Sequence, residues 1–271
     1  MENHSDRWES IWADIQRIRA EAPLVHNITN YVVMNTTANA LLALGASPVM
    51  AHAEEEVGEM AAIAQSLVIN IGTLSAPWIA AMFQAGEAAR RNGRPIVLDP
   101  VGAGATTFRT ATARKLLAEL SPAIVRGNAS EIRALAFDER STRGVDSAYE
   151  SEDAAKAADR LSGQYRSVVA TSGAVDLISF GGMTTRVFNG HSMMPKVTGM
   201  GCTASALIGA FAAVNPSARD AAVNAMAVMG IAGELAAEHS PGPGTFLVRF
   251  LDALYLLNES DIRERVKVRE S

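Results

Sequence analysis

The stretch Leu67-Val-Ile-Asn-Ile71, followed by Ser75-Ala-Pro77 through Arg91 and then Pro95-Ile-Val-Leu-Asp99, decides the fold. Four apolar residues, with only Asn70 between the last two, predict a strand buried on both faces. Ser75 is a good N-cap, and Pro77 in the first turn predicts a helix running to Arg91. Pro95 to Asp99 reads as a second strand. A strand, a helix and a strand joined by short links form a parallel βαβ unit. The pattern continues outward. On the C-terminal side it gives a helix over 108–120, a strand at Ala123-Ile-Val125, a short helix capped by Asn128 or Ser130, a helix from Ser151 to about Leu161, and a strand at Val168-Val-Ala170. Residues 138–150 read as a polar loop. On the N-terminal side it gives an amphipathic helix over 8–20, a strand from Pro23, a helix from Val33 to Leu44, a strand over 47–51, and a helix headed by Glu54-Glu-Glu56.

The alternation ends near Val175. Asp176 to Phe180 and Met183 to Phe188 flank Gly181-Gly182, a hairpin signal. Helices are expected over 201–213, 218–238 and 245–257. The expectation is one α/β domain over 1–271, with a mostly parallel sheet covered on both faces and an antiparallel edge. Residues 1–22 form an extra N-terminal helix.

Composition narrows the function. The 271 residues are 48% hydrophobic and 20% charged, with a net charge of -5. Scattered Lys and Arg with an acidic balance argue against nucleic acid or an anionic membrane as partner. One cysteine rules out an intrachain disulfide and a multi-cysteine zinc site. No basic and apolar leader opens the chain, so a cytoplasmic setting is expected.

Lys196-Val-Thr-Gly-Met-Gly-Cys-Thr-Ala-Ser-Ala206 carries the chemistry. Gly199 and Gly201 open an uncharged, small-residue helix, and Cys202 stands in its first turn. The free N–H groups and the positive dipole end of such a helix make an anion site. In open α/β sheets, ligands bind at the carboxyl ends of the strands. The tips there are Met50, Asp99-Pro-Val-Gly-Ala-Gly104, Arg126-Gly-Asn-Ala-Ser-Glu131 and Thr171-Ser-Gly173. Each has a plain structural reading. Asp-Pro is a common strand exit, Asn128 with Glu131 is a helix cap, and a lone cysteine is usually a small buried hydrophobe. Their convergence on one edge favours a site. Gly102-Ala-Gly104 lacks the third glycine of a dinucleotide loop, and the chain has no Gly-x-x-x-x-Gly-Lys-Ser/Thr motif. A cysteine hydrolase stays open, because Cys202 could be a nucleophile.

Together these tips resemble the ribokinase-like fold, a three-layer α/β architecture, with Gly199-Met-Gly-Cys202 in the place of its Gly-x-Gly-Asp turn and Asn128-Ala-Ser-Glu131 as its Asn-x-x-Glu motif. Within that fold the chain is similar to the hydroxyethylthiazole kinase family. The blocks that carry the likeness are Pro23 to Asn30, Asn35 to Asn39, Leu41 to Ala51, Glu54 to Val57, Asn70 to Leu74, Leu98 to Gly104 and Val197 to Cys202. The resemblance implies that ATP phosphorylates a thiazole alcohol with Mg2+. It implies that Met50 and Gly199, with Asn27 in the same block, contact the alcohol. Arg126 and Ser172 would contact ATP, Asp99 and Glu131 would lie near the metal, and Cys202 would stand at the base position. A helix N-terminus can lower a thiol pKa, but positioning by the glycine turn is expected to outweigh proton abstraction, which leaves Cys202 a weak, auxiliary base. It also implies a homotrimer with sites at subunit interfaces. The alternatives are a kinase of another small alcohol, such as a hydroxymethylpyrimidine or a sugar, and a non-catalytic nucleotide-binding module.

Overall fold

The computed structural model describes residues 4–137 and 150–270. The polar loop expected at 138–150 lies almost wholly outside the described residues. Nine strands form one sheet: β1 Leu24–Ile28, β2 Ser47–Val49, β3 Ser66–Asn70, β4 Ile96–Asp99, β5 Ile124–Asn128, β6 Val168–Ser172, β7 Asp176–Phe180, β8 Met183–Val187 and β9 Val268–Glu270. The order is β2-β1-β3-β4-β5-β6-β7-β8-β9. The first six run parallel and the last three antiparallel. The chain steps from β1 out to β2, then returns to the other side of β1 as β3. That reversal makes the β1/β3 crevice a topological switch point, where ligands of such sheets bind.

Two apolar cores lie on opposite faces. On one, Val25, Val68, Val97, Ile124 and Val168 meet a helical layer. That layer comprises α1 His4–Glu21, α2 Met34–Leu44, α8 Met200–Val214, α9 Ala218–Glu238, α10 Pro243–Leu256 and α11 Glu259–Arg265. On the other face, Leu67, Ile69, Leu98, Val125 and Val169 meet a second layer. It comprises α3 Val57–Ile63, α4 Ala76–Arg91, α5 Thr107–Leu120, α6 Ala129–Ala136 and α7 Glu150–Tyr165. The period-2 alternation of each strand sends every second side chain to one core.

The caps behave as expected. Ser75 Oγ accepts from the Trp78 N–H, and Asn128 with Glu131 closes a full capping box on α6. Gly181 and Gly182 make the hairpin turn with φ of +61° and +78°, the signature of a type I′ turn. The hairpin is not the end of the sheet. β9 pairs antiparallel with β8, and Arg7 and Arg219 both donate to Glu270 on that last strand. Neither α11 nor β9 stands out in the sequence, because each is short and mostly polar.

The extra helix expected over 1–22 is built into the core. Ile11, Ile15 and Ile18 are fully buried. So is Asp14, which accepts from Arg17, Asn215 and Asn224. α9 is the one described helix long and apolar enough to cross a membrane, and most of it is buried inside the protein.

Candidate active site

The site begins as a parity effect. Val25, Val68, Val97, Ile124 and Val168 face α8 and its neighbours. Two residues further along β1, β3, β4 and β5, on the same face, come Asn27, Asn70, Asp99 and Arg126. On β6 the same face continues through Ala170 to Ser172. Asn70 is the register partner of Asp99, and Asn128 of Ser172. An apolar face therefore turns polar within its last residues, at the carboxyl edge beside the switch point.

The first turn of α8 covers this polar row. Gly199 is its N-cap with φ of +86°, and a Cβ there would lie 2.8 Å from Val33 Cγ1. Both facts demand glycine. The first intrahelical bond runs from Thr203 N–H to Gly199 C=O, so the N–H groups of Met200, Gly201 and Cys202 precede the ladder. Farther along, a Cβ at Gly209 would come within 2.5 Å of Val68 Cγ2, which shows how closely α8 lies on the sheet. A Cβ at Gly201 would stand 2.6 Å from Arg126 Nη1, so the guanidinium sits directly against the glycine turn. Arg126 Nη2 donates to Ser172 Oγ at 2.7 Å, and its Nε has no partner. The structure thus brings Gly199, Gly201, Arg126 and Ser172 together.

Asp99 is fully buried. Its Oδ2 accepts from Asn70 Nδ2 at 2.7 Å and from Ser205 Oγ at 2.8 Å, while Oδ1 has no partner. Burial pushes its pKa up to about 6, and nearby Glu131 adds to the rise. The charge of Arg126 and the two hydrogen bonds oppose it. A buried carboxylate oxygen without a donor is costly unless a ligand uses it. Glu131 differs. Its Oε1 accepts from the Gly102 N–H and its Oε2 from the Asn128 N–H, both at 2.8 Å. It braces the Asp99–Gly104 loop as well as capping α6, so the cap reading of the Asn128–Glu131 pair holds in the structure.

Cys202 is half-buried. Its Sγ accepts from Asn30 Nδ2 at 3.5 Å. Burial pushes the thiol up to about 11, and the charge of Asp99 pushes the same way. A helix N-terminus can lower a thiol pKa; at Cys202 desolvation sets the direction, upward. A thiol this weakly acidic holds little thiolate at neutral pH, which speaks against a cysteine nucleophile.

Met50 follows β2 directly. Its C=O lies 3.4 Å from His52 Nδ1, and buried His26 holds the adjoining Ala51 C=O through Nε2 at 2.8 Å. Asn27 is buried, and its Nδ2 donates to the Val25 C=O of its own strand. Sequence reasoning missed Asn30, Asn70 and Ser205. An asparagine after a strand looks like any turn residue, and a serine inside a small-residue helix looks like filler. A cavity of about 470 Å³ opens at the opposite end of the sheet between Gln65, Arg94, Ala123 and Asn215. It contains none of the strand-tip residues.

The fold is that of the ribokinase-like small-molecule kinases. Pyridoxal kinase from Staphylococcus aureus, solved in complex with pyridoxal, shares the fold with a TM-score of 0.66 at 16% identity, over 92% of this chain and 97% of that one. The model of the Hydroxyethylthiazole kinase family matches residues 15–260, and the chain belongs to that family. Hydroxyethylthiazole kinase from Syntrophus aciditrophicus (strain SB) is 59% identical over 96% of this chain and 97% of its own length. The solved hydroxyethylthiazole kinase protein from Pyrococcus horikoshii OT3 matches with a TM-score of 0.90 at 48% identity, over 97% of this chain and 99% of that one.

Proposed function

We propose that this kinase transfers the γ-phosphoryl group of ATP to the primary alcohol of 4-methyl-5-(2-hydroxyethyl)thiazole, giving the thiazole phosphate for thiamine biosynthesis or salvage. The observation that carries the reading is the seating of Arg126 against Gly201, at the mouth of α8 and above the polar strand tips. Phosphoryl transfer asks a protein mainly for positioning and charge stabilisation. The N–H groups of Met200, Gly201 and Cys202 would cradle the transferring phosphoryl oxygens. Arg126, tied to Ser172, would neutralise charge on the nucleotide. Met50 and the backbone at Gly199, with Asn27 nearby, would face the alcohol.

The donor set suits a magnesium ion. Mg2+ is usually held by one or two carboxylates together with phosphate oxygens and water, and no group of three or more metal-ligating side chains exists among the described residues. Asp99 Oδ1 would hold the ion, which would supply charge neutralisation for the phosphate. Glu131 would act through the loop it braces, since both its oxygens already accept N–H groups. Cys202 stands at the base position, but with its pKa raised it is almost wholly protonated at neutral pH and offers little thiolate to accept the alcohol proton. A loose transition state needs little proton abstraction before the phosphoryl group has moved.

The same reading places the protein in the cytoplasm as a homotrimer with sites at subunit interfaces. Tyr31 and Val32, 67% and 64% exposed, project beside Asn30 and are apolar surface that a second subunit would cover. The test is ATP consumption with hydroxyethylthiazole, set against a panel that includes a hydroxymethylpyrimidine. Turnover confined to the thiazole supports the proposal. Turnover with the pyrimidine alone, or ATP binding without turnover on any alcohol, overturns it.

A further inference from the structure

We propose that Asn70 is a positioning residue for phosphoryl transfer, setting which oxygen of Asp99 stays free and linking that carboxylate to the loop that holds Cys202. The inference rests on the kinase reading above.

Asn70 is the last residue of β3 and is buried. Its orientation follows from chemistry alone. The Gly72 N–H, 2.9 Å from Asn70 Oδ1, can only donate. An ionised Asp99 Oδ2, 2.7 Å from Asn70 Nδ2, can only accept. The amide therefore has one allowed sense. Oδ1 has room for a second donor, and Asn30 Nδ2 supplies it at 2.9 Å. The same Asn30 nitrogen reaches Cys202 Sγ, and Asn30 Oδ1 accepts from the Val32 N–H. The bonds run in one direction, from Val32 through Asn30 and Asn70 to Asp99. Ser205 then donates from α8 onto the same Oδ2. Bonds aligned in series polarise one another.

Two neutral donors on one oxygen fix the carboxylate plane and leave Oδ1 as its only open acceptor. The relay also ties the tips of β1, β3 and β4 to the first turns of α8. A shift of the Asn30 loop is felt at Asp99 through Asn70. A plainer role exists: Asn70 turns the chain at Gly72. An aspartate still accepts from Gly72 and Asn30, and it has no N–H for Asp99. But it also sets a second buried carboxyl against Asp99, so the charge-neutral Ser205→Ala tests the loss of a donor alone.

The experiment compares native protein, Asn70→Asp and Ser205→Ala in the thiazole assay, with thermal midpoints measured alongside. Outer residues that orient a metal-binding or catalytic group typically contribute about 10–100-fold. Asn70→Asp is expected to lose about 100-fold in kcat while KM for the thiazole changes by less than about threefold. Ser205→Ala is expected to lose about tenfold in the same way. An Asn70→Asp enzyme with native kcat overturns the proposal. If Asn70→Asp does not fold, Ser205→Ala decides, and native kcat there overturns it. A native protein inactive on the thiazole sinks the kinase reading itself, and this inference with it.

Discussion

Asp14 and Asp99 are both fully buried aspartates, and their surroundings are opposite. Asp14 lies where α1 meets α8 and α9. Arg17 donates to one of its oxygens, and Asn215 and Asn224 to the other, at 2.7 and 2.8 Å. Asp99 lies at the tip of β4. One oxygen receives two neutral donors and the other receives none. Both oxygens of the first carboxylate are satisfied, and its role is structural. The second is unsaturated, and in a folded protein that cost is retained where a ligand will use it. The same side chain marks a rivet in one region and a binding edge in the other.

The sharpest way to break this contrast is Asp99→Asn. With the carboxylate gone, kcat on the thiazole should fall by at least about 10³-fold, measured by coupled ATP consumption. A loss under tenfold would mean that the open oxygen has no ligand to hold. Gly201→Val attacks the same edge from the helix side. Its side chain would push into the Arg126 guanidinium and the anion turn, so a loss of about 10²–10³-fold is expected with far-UV circular dichroism unchanged. Nearly native turnover would move the phosphate cradle elsewhere.

Asp14→Asn should act on stability instead. It weakens the bond to Arg17 and sets an amide among the amides of Asn215 and Asn224. A loss of about 2–3 kcal/mol is expected from urea denaturation, with kcat per folded molecule unchanged.

At Asp99 the same substitution should change stability in the other direction. The native pKa of about 6 exceeds the unfolded carboxylate value, so between these values the native state binds more protons. Native stability therefore falls as pH rises from about 4 to 6, and the deficit is complete above that window. Asp176, also raised to about 6 by burial, contributes with the same sign. Asp99→Asn removes the Asp99 share. It should be about 1–3 kcal/mol more stable than native above pH 6, with the advantage vanishing toward pH 4. Denaturation curves at pH 4, 5, 6 and 7.5 check this, and a pH-independent difference would refute it.

The smallest effect is expected at Cys202. Cys202→Ala should retain kcat within about tenfold, because a thiol near pKa 11 is almost wholly protonated at neutral pH. Cys202→Asp should be tolerated. Complete loss in Cys202→Ala, with ATP binding intact, would show that proton abstraction matters more than positioning.

Much of this architecture is legible from local chemistry. Leu67 to Ile69 and Ile96 to Leu98 announce parallel strands because a doubly covered strand carries consecutive apolar residues. Gly181-Gly182 announces the hairpin because its turn needs positive φ. Gly199 and Gly201 mark the helix mouth for related reasons. The C-terminal α11 and β9 are not legible. Val268-Arg-Glu270 is a strand only because the edge of β8 lies beside it, and Arg7 and Arg219 hold Glu270 there.

What the sequence alone determined is therefore the elements up to α10 and the one edge on which Asp99, Arg126, Ser172 and the glycine turn gather, because periodicity, caps and turn residues act within a few residues. What only the tertiary structure decided is which polar group is satisfied and which is left open. Asn30, Asn70 and Ser205 converge on Cys202 and Asp99 from three separate segments, and the Glu131 oxygens are taken up by Gly102 and Asn128. The pKa of the thiol belongs to this second class. Burial and the carboxylate of Asp99, brought in from β4, raise it.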